Sequence, residues 1–86
     1  METISEVNIF PNPANNYLNV EYTTTDFTDV QVYIIDVTGK IIQQQSLNEA
    51  TGQQRTQLDI SQLSSGFYFV QLVSENSMMS KKFIKN

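Results

Sequence analysis

The 86-residue chain has no histidine, no cysteine and no tryptophan. Without histidine and cysteine it lacks the usual general base at neutral pH, the thiol nucleophile and the commonest transition-metal ligands, which sets aside serine hydrolysis and zinc chemistry. No disulfide can reinforce the fold, so the core must suffice alone, and the absence of cysteine assigns no compartment. The three glycines stand singly at 39, 52 and 66, so there is no glycine-rich phosphate loop. No run approaches the roughly 18 apolar residues of a membrane-spanning helix. The opening METISEVNIF lacks the basic-then-apolar layout of a signal peptide, so a leader for an exported protein is expected elsewhere. Basic residues are scarce, five against nine acids, and the net charge of −4 argues against nucleic acid or an anionic membrane as partner. No cofactor is expected.

What is present is alternation. The length suits one domain, residues 1–86, with a single modest core and no interdomain cleft. From Val7 to Ser74 apolar residues recur at every second position, the period of a half-buried strand, and no window of about a dozen residues sustains the 3.6 period of a helix. The pattern predicts seven strands: Val7 to Phe10, Tyr17 to Tyr22, Asp29 to Asp36, Lys40 to Ser46, Gln53 to Asp59, Phe67 to Ser74 and Ser77 to Ile84. Leu18, Val20, Tyr22, Val30, Val32, Ile34, Leu58, Ile60, Tyr68, Val70 and Leu72 are the expected inward residues. Seven short alternating strands suit an antiparallel β-sandwich, in which two sheets bury one face each.

The turns are equally legible. Asp36-Val37-Thr38-Gly39 places a capping carboxylate first and a glycine fourth, a hairpin turn with a bulge expected at Gly39. Pro11-Asn12-Pro13 removes two amide donors and forces an extended corner after the first strand. Asn48 to Gln54 reads as a polar, mobile loop. Leu63 to Tyr68 reads as a turn stopping at Gly66, after which Tyr68 enters the core with its hydroxyl bonded to upstream backbone, like the tyrosine corner of immunoglobulin-type domains.

Chemistry-bearing patterns are few. Asp26 and Asp29 flank an expected turn and could offer oxygen to calcium, although turn capping and solubility explain them more simply. A carboxylate pair could in principle cleave a glycosidic bond, but so small a sandwich seldom has the groove. Tyr33, Phe67 and Phe69 fall opposite the inward residues and could stack on a sugar or a protein, or serve simply as favoured strand residues. The charge distribution is more pointed. Residues 1–75 carry all nine acids and two bases, net −7, whereas Lys81, Lys82 and Lys85 crowd the last six positions around Phe83 and Ile84. Lysines on an edge strand discourage aggregation, and a basic terminus can equally face a partner.

Four segments in order, Phe10-Pro11-Asn12-Pro13-Ala14, Ile35 to Lys40, Leu58 to Val70 and Lys82-Phe83-Ile84-Lys85, resemble a type A C-terminal sorting domain of the type IX (Por) secretion system of Bacteroidota. Phe10 stands where tyrosine is common in that family, and the apolar role is kept. The resemblance implies an immunoglobulin-like sandwich of about seven strands at the end of a larger exported protein, in transit through the periplasm and then at the cell surface or in the medium. It implies as partners the outer-membrane translocon and its shuttle proteins, a sortase-like cysteine protease that removes the domain, and a cargo domain in cis on the N-terminal side. Cleavage is expected near or before residues 1–6, with Met1 an added start. Lys81, Lys82, Phe83, Ile84 and Lys85 would form the recognition element. Pro11, Asn12, Pro13, Asp36, Gly39, Lys40, Leu63, Gly66 and Tyr68 would hold the fold that presents it. A terminal strand paired only on one side would offer an open edge for strand addition. The rival expectation is a carbohydrate- or protein-binding sandwich appended to a surface enzyme or adhesin, with ligand on the outer aromatic face; a structural spacer is the third.

Overall fold

The alternation becomes burial in three dimensions. In the computed structural model, which describes residues 4–75 and 77–86 and only the backbone of 26–28 and 48–50, every one of the eleven expected inward residues is buried. Ile4, Val7, Ala14, Leu63 and Phe83 join them in one apolar cluster. Each large apolar side chain so buried contributes about 1.5 to 3 kcal/mol. The region proposed for cleavage and the added start overlaps residues 1–3, which lie outside the described residues.

Five continuous strands form the fold: β1 (Ile4–Phe10), β2 (Tyr17–Asp36), β3 (Ile41–Asp59), β4 (Gly66–Val73) and β5 (Met78–Lys85). All pair antiparallel, and there is no helix among the described residues. The seven expected strands are present as seven segments in two sheets, consistent with an immunoglobulin-like sandwich. Residues 17–24 of β2 lie between β1 and residues 52–59 of β3 in the first sheet. Residues 30–36 of β2 lie between the opening residues of β3 and β4, and β5 completes that second sheet.

Two expected breaks are corrected. The turn between Tyr22 and Asp29, and the loop from Asn48 to Gln54, are both continuous strand. The polar residues there have the local composition of turns. Instead β2 and β3 pair with each other through the bend, which satisfies their backbone groups, and the bend is taken up by register irregularities between Thr24 and Val30. Gly52, opposite Thr24, has φ +86°, a conformation that a residue with a Cβ adopts only with strain. Because no turn separates Asp26 from Asp29, the pair does not flank one; the Asp26 side chain lies outside the described residues.

The hairpin after β2 follows its sequence. Gly39 N–H donates to the Asp36 carbonyl at 3.0 Å, Asp36 N–H donates to the Lys40 carbonyl at 2.9 Å, and Gly39 has φ +90°, the arrangement of a type I turn closed by a glycine bulge. A second irregularity, between Ile34 and Ile35, lies just beyond it. The Tyr68 hydroxyl donates to the Ser64 carbonyl at 2.7 Å, as the expected tyrosine corner requires.

Candidate functional site

β5 is the strand that holds the basic cluster. Its side chains alternate, and the alternation divides the motif. Phe83 is fully buried, with its ring 5.7 Å from that of Tyr68 and inclined by 25°. Lys85, on the same side, is only 9% exposed, and its ammonium donates to the Asn86 carbonyl at 3.1 Å. Lys81 shares that side but is exposed. Lys82 and Ile84 point to the opposite, outer face, where the Lys82 ammonium sits 4.5 Å above the centre of the Phe67 ring. Such a contact at an exposed site contributes about 0.5 to 1 kcal/mol and restricts where the charge can go. The exposed charge of the motif is therefore Lys81 and Lys82.

The outer edge of β5 is not open along its whole length. β4 pairs with one side, and the proline corner closes the other. Ala14 N–H donates to the Ile84 carbonyl at 2.8 Å and Asn86 N–H donates to the Ala14 carbonyl at 2.9 Å, a short parallel pairing. The Asn12 side chain does what the missing proline amides cannot. Its Oδ1 accepts from Ile84 N–H at 3.0 Å and its Nδ2 donates to the Lys82 carbonyl at 3.4 Å. Asn86 also donates through its side chain to Asn15 Oδ1 at 3.1 Å. The expectation of an open terminal edge is corrected for residues 82–86. Among the described residues, no strand other than β4 pairs with residues 78–82.

Both peptide bonds preceding proline, Phe10-Pro11 and Asn12-Pro13, are cis, and the prolines themselves are exposed. Ala14 is fully buried where the corner meets β5. A larger side chain there would have to displace core or tail.

The four separated sequence segments meet at one end of the second sheet. Asp36 pairs with Tyr68, Tyr68 with Phe83, Gly66 with Lys85, and Lys85 with Ala14. Leu63 is buried beneath the turn that leads into β4. Asp36 Oδ1 accepts from Thr38 Oγ1 at 2.6 Å, from Thr38 N–H at 2.9 Å and from Lys40 N–H at 3.0 Å. These bonds, the Thr38 hydroxyl foremost, hold its carboxyl below the usual range. Asp59 is lowered in the same manner by Ser61, whose hydroxyl and N–H donate at 2.6 and 3.0 Å. Lys40 contributes backbone to the turn while its side chain stays exposed. Tyr33, Phe67 and Phe69 lie, as expected, on the outer face opposite the buried residues. An open cleft of about 340 Å³ lies beside residues 43–45 of β3 and is lined by Val32, Ile34, Gln43, Gln44, Gln45, Leu58 and Asp59. Its carboxylate is the Asp59 already tied to Ser61, so no acid–base pair forms there. No group of three or more metal-ligating side chains occurs among the described residues.

Sequence reasoning missed the parts of Ala14, Asn15, Ser64, Phe67 and Asn86. Alternation places Phe67 on the outer face but does not show that its ring holds Lys82. The position of Asn12 between two prolines was the available signal, since a side chain must then supply the corner's polar contacts.

The family model for the secretion system C-terminal sorting domain matches residues 8–86. The chain belongs to that family. It is thus a type IX secretion C-terminal sorting signal, of a family that is not an enzyme family, and it points toward secretion to the cell surface or extracellular space by interaction with the type IX system. A search of the curated proteins finds no match to this sorting domain.

Proposed function

We propose that this sorting domain directs a larger cargo, joined on its N-terminal side, through the type IX system, and that the system reads the terminal strand. On this reading the cargo passes through the periplasm and is handled at the outer membrane by shuttle proteins and the translocon. A sortase-like cysteine protease then cuts upstream of β1, leaving the cargo at the surface or in the medium. The supporting observation is the way the tail is held. Phe83 is locked beneath Tyr68 while Asn12 and Ala14 grip the far edge, so Lys81 and Lys82 stand at defined surface positions. Preorganised charges lose less freedom on binding, and carboxylates on the receptor would meet them with a salt-sensitive attraction.

The test is a reporter joined ahead of residues 1–86 in a Bacteroidota host, carrying Lys81→Gln and Lys82→Gln with Phe83 kept. The expected result is a reporter held in the periplasm by a domain that remains folded, its melting temperature lowered by a few degrees at most. Unimpaired export would sink the proposal. Deleting residues 81–86 discriminates less well, because it also removes the buried Phe83. A sugar-binding role has weaker support: Lys82 already occupies the face of Phe67, and Phe69 is half-buried.

A further inference from the structure

The outer face of the second sheet has an unusual composition. Residue pairing places Ile41, Ile35, Phe69 and Lys82 in one row across four strands, and Phe67 beside Ile84 in the next. Ile41 is 51% exposed, Phe67 50% and Ile84 38%. The apolar part of the row, Ile41 to Phe69, spans two strand spacings, about 10 Å, and with Phe67 and Ile84 in the next row it forms an exposed apolar surface bordered by Lys82, of the kind that can take a partner. The charge is equally one-sided. Segments 30–35, 41–47, 66–74 and 77–86, which build this sheet, contain no acidic side chain, although the chain has nine, and their only charged side chains are Lys81, Lys82 and Lys85, of which Lys82 lies on the outer face. Asp36, at the hairpin end, turns its carboxylate onto Thr38 and Lys40 N–H.

We propose that this face is a protein-docking surface continuous with the terminal motif, and that it takes a partner surface of apolar side chains bordered by carboxylates. The inference rests on the sorting reading above and extends the recognised element from the tail to Ile41 on the far side of the sheet. Phe67 acts as a positioning residue: its ring holds the Lys82 ammonium at the border of the apolar rows, where a partner carboxylate would meet it. Charge complementarity selects the occupant. A face free of acids on a domain of net charge −4 suits an acidic, apolar protein surface, whereas the domain as a whole is repelled by an anionic membrane.

The same reporter fusion tests it. Ile41→Gln with Phe67→Gln should lower the exported fraction about tenfold or more, the effect of losing a central apolar contact, with the melting temperature lowered by no more than the few degrees that the lost Lys82 contact accounts for. Ile41→Gln alone keeps the Lys82 contact and should still lower export several-fold. Tyr17→Gln, an equally exposed aromatic on the first sheet, should leave export unchanged. Full export of both face variants, while Lys81→Gln with Lys82→Gln blocks it, would overturn the docking face and spare the sorting reading. Full export of the lysine variant would instead overturn that reading. An equal loss with Tyr17→Gln would overturn the assignment to this face. If the intact fusion floats with anionic phospholipid vesicles, and the face variants do not, a membrane rather than a protein is the occupant and the proposal fails.

Discussion

The outer faces of the two sheets solve the same problem in opposite ways. On the first sheet, polar groups answer one another across strands. Asn19 donates to the Phe10 carbonyl, Gln57 donates to Asn19 Oδ1, and Arg55 lies 3.8 Å from Glu21 and 5.1 Å above the Phe10 ring. Phe10, its one aromatic in the middle rows, is half-buried beneath Arg55, and the sheet's charges are of both signs. On the second sheet the rows are aliphatic and aromatic, the charge is Lys82, and half of Phe67 and Ile41 remains in water. Both sheets set a cation on a phenylalanine. On the first that cation is also paired with Glu21, whereas the second leaves its charge at the border of an uncovered apolar face. A face stabilised within the domain is finished, and one that is not is available to a partner.

The contrast can be broken most severely from beneath. Phe83→Ala removes the largest fully buried side chain among the described residues and should cost about 3 to 5 kcal/mol, a large share of a small domain's stability, by denaturant titration. Export should fall with it. Phe10→Ala on the first sheet should cost clearly less, because Phe10 is only half-buried; equal costs would mean that the tail end is not the better-packed region.

Tyr68→Phe keeps the ring against Phe83 and leaves the Ser64 carbonyl without its donor, with an expected loss of about 1 to 2 kcal/mol. Asn12→Ala releases two tail contacts at an exposed corner and should cost about 0.5 to 1.5 kcal/mol, with faster amide exchange at Ile84 as the specific readout. An unchanged exchange rate at Ile84 would show that the corner does not hold the tail.

Single charge substitutions sharpen the contrast at the surface. Arg55→Gln and Lys82→Gln should each change stability by less than about 1 kcal/mol, since exposed pairs contribute little. Only Lys82→Gln should reduce export, and that loss should shrink as salt already weakens the intact domain.

The smallest effect is pH-dependent and lies in the turns. Asp36 and Asp59 have carboxyl groups lowered by their threonine and serine partners, so each contributes stability that is complete above the unfolded carboxyl value of about 3.9 and is lost as pH falls through the lower folded value. Asp36→Asn should therefore flatten part of the acid limb of a stability-against-pH curve. Tyr22 has the opposite sense: burial raises its phenol, so its contribution is complete below about pH 10 and lost above.

Much of this molecule was legible in the chain because strand burial has a period of two. The inward residues of β2 and β4 follow from alternation, and the Asp36 turn and the Tyr68 corner follow from residues within five positions of one another. The errors have one origin. Thr24 to Asp29 and Asn48 to Gln54 have turn-like composition, yet β2 and β3 pass through as strand because each pairs with the other across the bend. The edge of β5 was misread for a related reason, since the side chain that closes it comes from Asn12, 72 residues before Ile84.

By itself, then, the sequence determined an all-β domain, its inward faces, the Asp36 turn, the Tyr68 corner and a basic terminus wrapped around an apolar pair. Local chemistry suffices for these, because alternation, proline and glycine act on near neighbours. Only the tertiary structure decided that Phe83 and not Ile84 enters the core, that Lys85 is buried while Lys81 and Lys82 stay exposed, and that four distant segments close on the tail. Those outcomes depend on which strand lies beside which, and pairings across 70 residues are selected by the packing of the whole core.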